Sequence, residues 1–246
     1  MNNRRVRPKL LETKVLKKTE LTDDLKFIWI EKPDGFSFKP GQYCTIGRDG
    51  VERAYSIASA PHEDELELFV ELVPLPEGVL TPKLWELEPG EILTIRPRAK
   101  GIFTMNPGLS NQVLVATVTG IVPYISFIRD YLHTKKEGLR FFILYGASYV
   151  DEFAYDKELL SISNNHPGVL TFIPTISRPN EIRNEGWTGE VGRVNTIIEK
   201  YLNELNLTPQ NTLVYACGHP GMISDVKSRL IPSGFKVDEE RFWKED

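Results

Sequence analysis

The sequence predicts two domains of different class: an antiparallel β-barrel over residues 1–106 and an α/β domain with a parallel sheet over 107–246. Three observations carry this. The first hundred residues hold short runs of near-alternating polarity separated by turn dipeptides. From Val113 onward, short apolar runs alternate with stretches of helical spacing. The rhythm changes at Pro107-Gly108.

In the first half, residues 24–31 (DLKFIWIE) set Leu25, Phe27 and Trp29 against Lys26, Ile28 and Ile30. Residues 65–72 (ELELFVEL) alternate more cleanly, which predicts a strand with one wetter face. Pro33-Asp34-Gly35, Pro40-Gly41, Asp49-Gly50 and Pro89-Gly90 mark turns between such runs. A short helix fits 81–87, with Thr81 as cap and Pro82 in the first turn. In the second half, strands are predicted at 113–116, 141–144, 169–176 and 212–216, and helices at 124–133, 155–162, 194–205 and 221–230. Right-handed crossovers make this alternation a doubly wound, nucleotide-binding architecture, whose ligands lie at the carboxyl ends of strands.

Composition narrows the function. With 246 residues, 41% hydrophobic and 26% charged, the chain is globular and long enough for a core without metal or disulfide staples. Thirty basic against 34 acidic residues, a net charge of -4, argue against broad nucleic-acid binding. Charge is nonetheless clustered. Arg4, Arg5, Arg7, Lys9, Lys14, Lys17 and Lys18 crowd the start, and Glu63, Asp64, Glu65, Glu67 and Glu71 follow later. Both clusters read as solvated patches, or the first as a surface that steers an acidic partner. Two cysteines, Cys44 and Cys217, are too few for a ferredoxin-type cluster, and four scattered histidines have no zinc-ligand spacing, so no metal is expected. No apolar run reaches membrane-spanning length and the start is polar, which makes a cytoplasmic protein the expectation.

Several motifs carry chemistry. In Arg53-Ala54-Tyr55-Ser56, alternation puts Arg53 and Tyr55 on one face. An arginine fork and a flat ring suit a phosphorylated aromatic cofactor; an ordinary barrel strand is the plainer reading. Gly78-Val79-Leu80-Thr81 combines a glycine open to close approach with a helix start that receives anions or is simply capped. Thr119, Gly120 and Pro123 stand in a strand-to-helix turn able to take a pyrophosphate, or merely to connect. Cys217, Gly218, Pro220 and Met222 form the sharpest signal (CGHPGM). A thiol at a strand end, facing a cleft, suits packing against a nicotinamide ring, whereas a buried structural cysteine is the alternative. Ser177, Arg178 and Arg193, and less so Arg183, are phosphate binders or ordinary surface residues. Phe242 and Trp243 near the terminus are expected to pack on a cofactor ring or on the domain's own core.

In their order along nearly the whole chain, these motifs resemble the ferredoxin-NADP+ reductase superfamily, and most closely its bacterial flavodoxin/ferredoxin branch. The resemblance implies FAD on the barrel: Tyr55 against the isoalloxazine, Arg53 on the pyrophosphate, Ser56 near flavin N5, and Gly78 to Thr81 at the phosphates. It implies NADP on the α/β domain, with Cys217 facing the nicotinamide C4, Glu240 as an acidic group near the active site, and Phe242 or Trp243 at the flavin. It further implies hydride transfer between NADP(H) and FAD, and single electrons to a separate ferredoxin or flavodoxin, in a monomer. An NADH-dependent flavin reductase or oxygenase electron-supply component is the nearest alternative, and a non-catalytic flavin-binding redox sensor the next.

Two departures stand out. The family's GTGxAP turn reads Val118-Thr119-Gly120-Ile121-Val122-Pro123 here, with valine for the first glycine. A β-branched residue resists positive φ, so this turn is expected to avoid that geometry. Ser148 stands where close relatives carry an arginine, removing one contact to a 2'-phosphate, while Arg178 and Arg193 keep NADP ahead of NAD.

Overall fold

The computed structural model describes residues 9–241; Arg4, Arg5, Arg7, Phe242 and Trp243 therefore lie outside the described residues. Two compact units emerge. One holds the described residues up to Thr104 together with Ser126–Asp130, and the other holds Met105–Ile125 and the described residues from Tyr131.

The first unit contains β1 (Leu11–Glu20), β2 (Leu25–Glu31), β3 (Tyr43–Arg48), β4 (Val51–Ser56), β5 (Glu65–Glu71), helix α1 (Thr81–Glu86) and β6 (Ile92–Ile95). They form one antiparallel sheet in the order β4-β3-β6-β1-β2-β5. Just past β4, the Ala58 N–H donates to the Glu67 carbonyl of β5 at 2.9 Å. No ladder continues along that seam, so the barrel is open rather than closed. Val15, Ile28, Ile30, Ile46, Leu66, Leu93 and Ile95 fill its interior, and Leu80, Leu84 and Leu87 from around α1 join them. Each such side chain contributes about 1.5–3 kcal/mol by leaving water.

Three expectations change here. Strand β5 has no wetter face: Glu67 is buried, its carboxylate 2.7 Å from Arg129 of the 126–130 segment. Thr81 does not cap α1. Leu80 occupies the cap position, and the Thr81 hydroxyl instead donates to the Val73 carbonyl and accepts from the Val73 N–H. The basic N-terminal run is partly a strand. In β1, Thr13 and Val15 are buried, a bulge follows Val15, Lys18 pairs with Glu88 at 2.6 Å and Lys17 lies over the Trp29 ring.

The second unit runs β7 (Asn111–Thr117), α2 (Val122–His133, whose middle belongs to the first unit), β8 (Arg140–Ala147), α3 (Asp156–Asn165), β9 (Leu170–Ile176), β10 (Glu190–Val191), α4 (Val194–Glu204), β11 (Thr212–Gly218), α5 (Pro220–Leu230) and β12 (Lys236–Arg241). All strands are parallel, in the order β10-β9-β8-β7-β11-β12. One face packs Val113, Val115, Leu144 and Val214 against Ile198 of α4 and Ile223 and Val226 of α5. Leu114, Ile143, Tyr145 and Tyr215 on the other face are buried too, as a parallel sheet requires. Succession runs outward from β7 to β10, then returns to the far side of β7 for β11 and β12. The reversal therefore falls between β7 and β11, where open α/β sheets bind their ligands. Among the described residues, no helix is long and apolar enough to cross a membrane.

Candidate functional site

Two strand-to-helix turns interlock at the reversal. After β7 the chain passes Val118–Ile121 into α2; after β11 it passes His219 into α5. A Cβ on Gly120 would stand 2.1 Å from the Cys217 carbonyl oxygen, and one on Gly218 would stand 2.3 Å from the Thr117 hydroxyl. Only glycine permits either approach. Thr117 Oγ1 also accepts the His219 N–H at 2.9 Å, and His219 Nδ1 accepts the Gly221 N–H at 3.0 Å, capping α5. Pro220 begins that helix without removing a needed donor.

Val118 overturns the expectation drawn from its β-branch: it adopts φ 41°. Its neighbours compensate. Gly120 is held against Cys217, and the Tyr145 hydroxyl donates to the Val118 carbonyl at 2.8 Å. Thr119 is half-buried and its carbonyl accepts the Val122 N–H, while Pro123 is buried in the second position of α2.

Cys217 is fully buried, with β12 alongside and Glu240 paired with it in register. Burial pushes its thiol well above its ordinary range, and the Glu240 charge adds to that, so the sulfur stays a neutral packing surface. Glu240 has Oε2 sealed from solvent, with no hydrogen-bond partner among the described residues. Burial pushes its carboxyl up to about 7. Tyr124, buried on α2, is electrostatically coupled to both. Met222 belongs to the core beneath α5.

Further along the carboxyl edge, Ser177 is half-buried and Arg178 is exposed. Arg178 Nη1 donates to the Tyr149 hydroxyl at 2.7 Å and lies 3.5 Å from Glu181. Arg183 covers the Tyr149 ring at 3.9 Å and makes a two-pronged bond to Asp151. Arg193 stands exposed at the cap position of α4. The sequence does not single out Tyr149; nothing in its spacing distinguishes it from a core aromatic.

In the first unit, Arg53 and Ala54 are exposed on β4, and Tyr55 packs its ring partly against the barrel core. Ser56 is 7% exposed and its hydroxyl has no partner among the described residues, an unusual state for a buried polar atom. An exposed guanidinium, a partly buried ring and an orphaned hydroxyl on one strand fit a phosphorylated flat cofactor. Gly78 is required for packing within its own loop. A Cβ there would fall 1.7 Å from the Val73 carbonyl oxygen, so its close approach is to its own loop. Thr81 and buried Leu80 close the same loop.

Comparisons with known proteins agree with this architecture. The profile of the oxidoreductase NAD-binding domain matches residues 114–228. Ferredoxin–NADP reductase of Pseudomonas aeruginosa is 29% identical, over 82% of either chain. Flavodoxin/ferredoxin–NADP reductase of Escherichia coli is 29% identical over 87% of either chain. One subunit of a Na(+)-translocating NADH-quinone reductase from Klebsiella pneumoniae is 26% identical, over 87% of this chain and 53% of that protein. Among solved structures, a ferredoxin NADP+ reductase from Neisseria gonorrhoeae with bound FAD and NADP superposes with a TM-score of 0.82, at 23% identity, over 96% of this chain and all of that one. The interlocked glycine turns thus stand in the fold and sequence context of known ferredoxin–NADP reductases, which this chain resembles.

Proposed function

We propose that this chain is an oxidoreductase that moves a hydride between NADP(H) and FAD, and single electrons between FAD and a separate ferredoxin or flavodoxin. Residues 1–106 are the FAD-binding half and 107–246 the NADP-binding half. One observation carries the reading: the two turns locked together by Gly120 and Gly218 at the reversal of a parallel sheet, with Cys217 and Glu240 beneath them. Bound FAD supplies the chemistry, taking up a hydride and releasing electrons singly.

The chain's own residues bind and orient. Arg53 offers its exposed fork to a phosphate, Tyr55 offers a ring edge, and the Ser56 hydroxyl offers a hydrogen bond that no described protein group takes. Thr119 and Gly120 present backbone donors at the start of α2. Cys217 gives the nicotinamide a soft, uncharged neighbour. Glu240 titrates near neutrality and is suited to hold a proton at Oε2. Arg178 and Arg193 are placed to meet a nucleotide phosphate. Lys9 and Lys14, both exposed, suit an acidic electron carrier. The protein is read as a cytoplasmic monomer.

An NADH-dependent reductase is the second reading, and one observation favours it: Arg178 and Arg183 already face Glu181 and Asp151. Anaerobic titration of the flavin-loaded protein, followed at about 450 nm, separates the two. Rapid bleaching by NADPH is the expected outcome, and preference for NADH would move the protein to the second reading. A C217A variant should keep its flavin spectrum but lose on the order of tenfold in reduction rate. A flavin that neither nucleotide bleaches would sink both readings.

A further inference from the structure

The strained turn after β7 rests on a residue for which the proposed chemistry has no use. Tyr145 is fully buried on β8, and its hydroxyl donates to the Val118 carbonyl at 2.8 Å. The Ala154 backbone N–H lies against the Tyr145 hydroxyl oxygen. Its ring meets Phe153 edge-on at 5.2 Å, and Phe153 stacks on Trp187 at 5.7 Å, whose indole N–H is bonded to the Glu190 carbonyl. Tyr145 is therefore clamped, with little freedom to follow Val118 if that residue were to relax.

Val118 has reason to relax. At φ 41° its branched Cβ crowds the backbone. The peptide joining Val118 to Thr119 is planar and trans, so its C=O and N–H point in opposite directions. A donor fixed against the carbonyl consequently aims the Thr119 N–H away from Tyr145. A return of Val118 to negative φ would turn this peptide and misdirect that N–H.

We propose that Tyr145 is a positioning residue: its hydroxyl latches the Val118–Thr119 peptide in an orientation that valine alone would abandon, and so sets a backbone donor for the pyridine dinucleotide. The inference rests on the reading that this turn receives NADP(H). It goes beyond that reading by making the latch necessary only because residue 118 is not glycine.

A double-mutant cycle on the flavin-loaded protein tests it, with NADP+ binding measured by calorimetry and stability by thermal melting. Y145F should weaken NADP+ binding about fivefold or more. V118G should bind as tightly as the unsubstituted chain or tighter. Y145F/V118G should return to within about twofold of V118G, since glycine holds positive φ unaided. Melting should show the same coupling, Y145F lowering Tm more in the original chain than in the V118G background. Equal losses in both backgrounds would overturn the latch and make Tyr145 an ordinary satisfied phenol. So would unchanged NADP+ binding by Y145F. Failure of the unsubstituted chain to bind NADP+ would overturn the nucleotide reading and the positioning role with it, while melting would still separate a latch from an ordinary buried bond.

Discussion

The turns that follow β7 and β11 lie against one another at the reversal of the sheet, and they hold their shapes by opposite means. The second is built from local ingredients: Gly218 takes φ 126° without a Cβ to object, His219 caps the next helix with its own side chain, and Pro220 starts it. The first has no side-chain cap at Thr117, and it places a valine at φ 41°. Its shape is imposed from outside, by Tyr145 below and by the Cys217 backbone behind Gly120. Even the Thr117 hydroxyl, free of capping duty, serves the other turn by accepting the His219 N–H. A turn that is locally consistent tolerates change around it, whereas an imposed one fails when a distant support is removed.

The largest expected effect comes where the two turns touch. Gly120→Ala would drive a Cβ to 2.1 Å from the Cys217 carbonyl, a backbone atom that cannot rotate aside. Gly218→Ala adds a clash with Thr117 to an unfavourable φ. Each should cost about 3 kcal/mol or more in chemical denaturation. If G120A lost less than about 1 kcal/mol, the two turns would be loosely apposed and the comparison would lose its basis.

The same contrast explains what was legible beforehand. The apolar runs of β7 and β11 announced buried parallel strands, but 113–116 and 212–216 were too short. Asn111 and Gln112 are polar residues that β7 nonetheless buries at its start, and β11 runs on through Cys217 and Gly218. Asn111, for instance, takes a bond from Arg140 on the neighbouring strand, a partner that periodicity cannot disclose. Strand β12 (KVDEER) is not predicted by periodicity, because a sheet-edge strand needs few apolar residues and here sends Val237 to the core. The second turn was readable as CGHPGM since each residue acts where it stands. The first was misread at Val118, whose conformation depends on Tyr145, 27 positions away. Thr81 misled in the same way, its hydroxyl being committed to Val73.

Beside the second turn lies a group that makes the comparison depend on pH. Glu240 has a folded value of about 7 against an ordinary 4.5. The folded chain then binds more protons than the unfolded one between these values. Stability contributed at this position is therefore lost as pH rises from about 4.5 to about 7, and the full cost is present above that. E240Q removes the titration. The whole shift is worth about 3 kcal/mol, and partial solvent access reduces this to roughly 1–2 kcal/mol. Denaturation of E240Q should show that gain at about pH 8 and none near pH 4. Parallel stability curves for the two proteins across this range would show that Glu240 is solvated.

The smallest effect concerns the cap. His219→Ala removes the acceptor for the Gly221 N–H and should cost about 1 kcal/mol, while His219→Asn, a good cap of similar reach, should cost a few tenths. Because the turn around it is self-consistent, the loss should stay local: amide exchange should quicken at Gly221 and Met222 and leave Thr119 and Gly120 unchanged. Y145F offers the reverse signature, with faster exchange at Thr119 and Gly120 and none at α5. If H219A also loosened Thr119, the shared Thr117 hydroxyl would be transmitting strain both ways. The two turns would then be one unit held at several points, with neither of them self-sufficient.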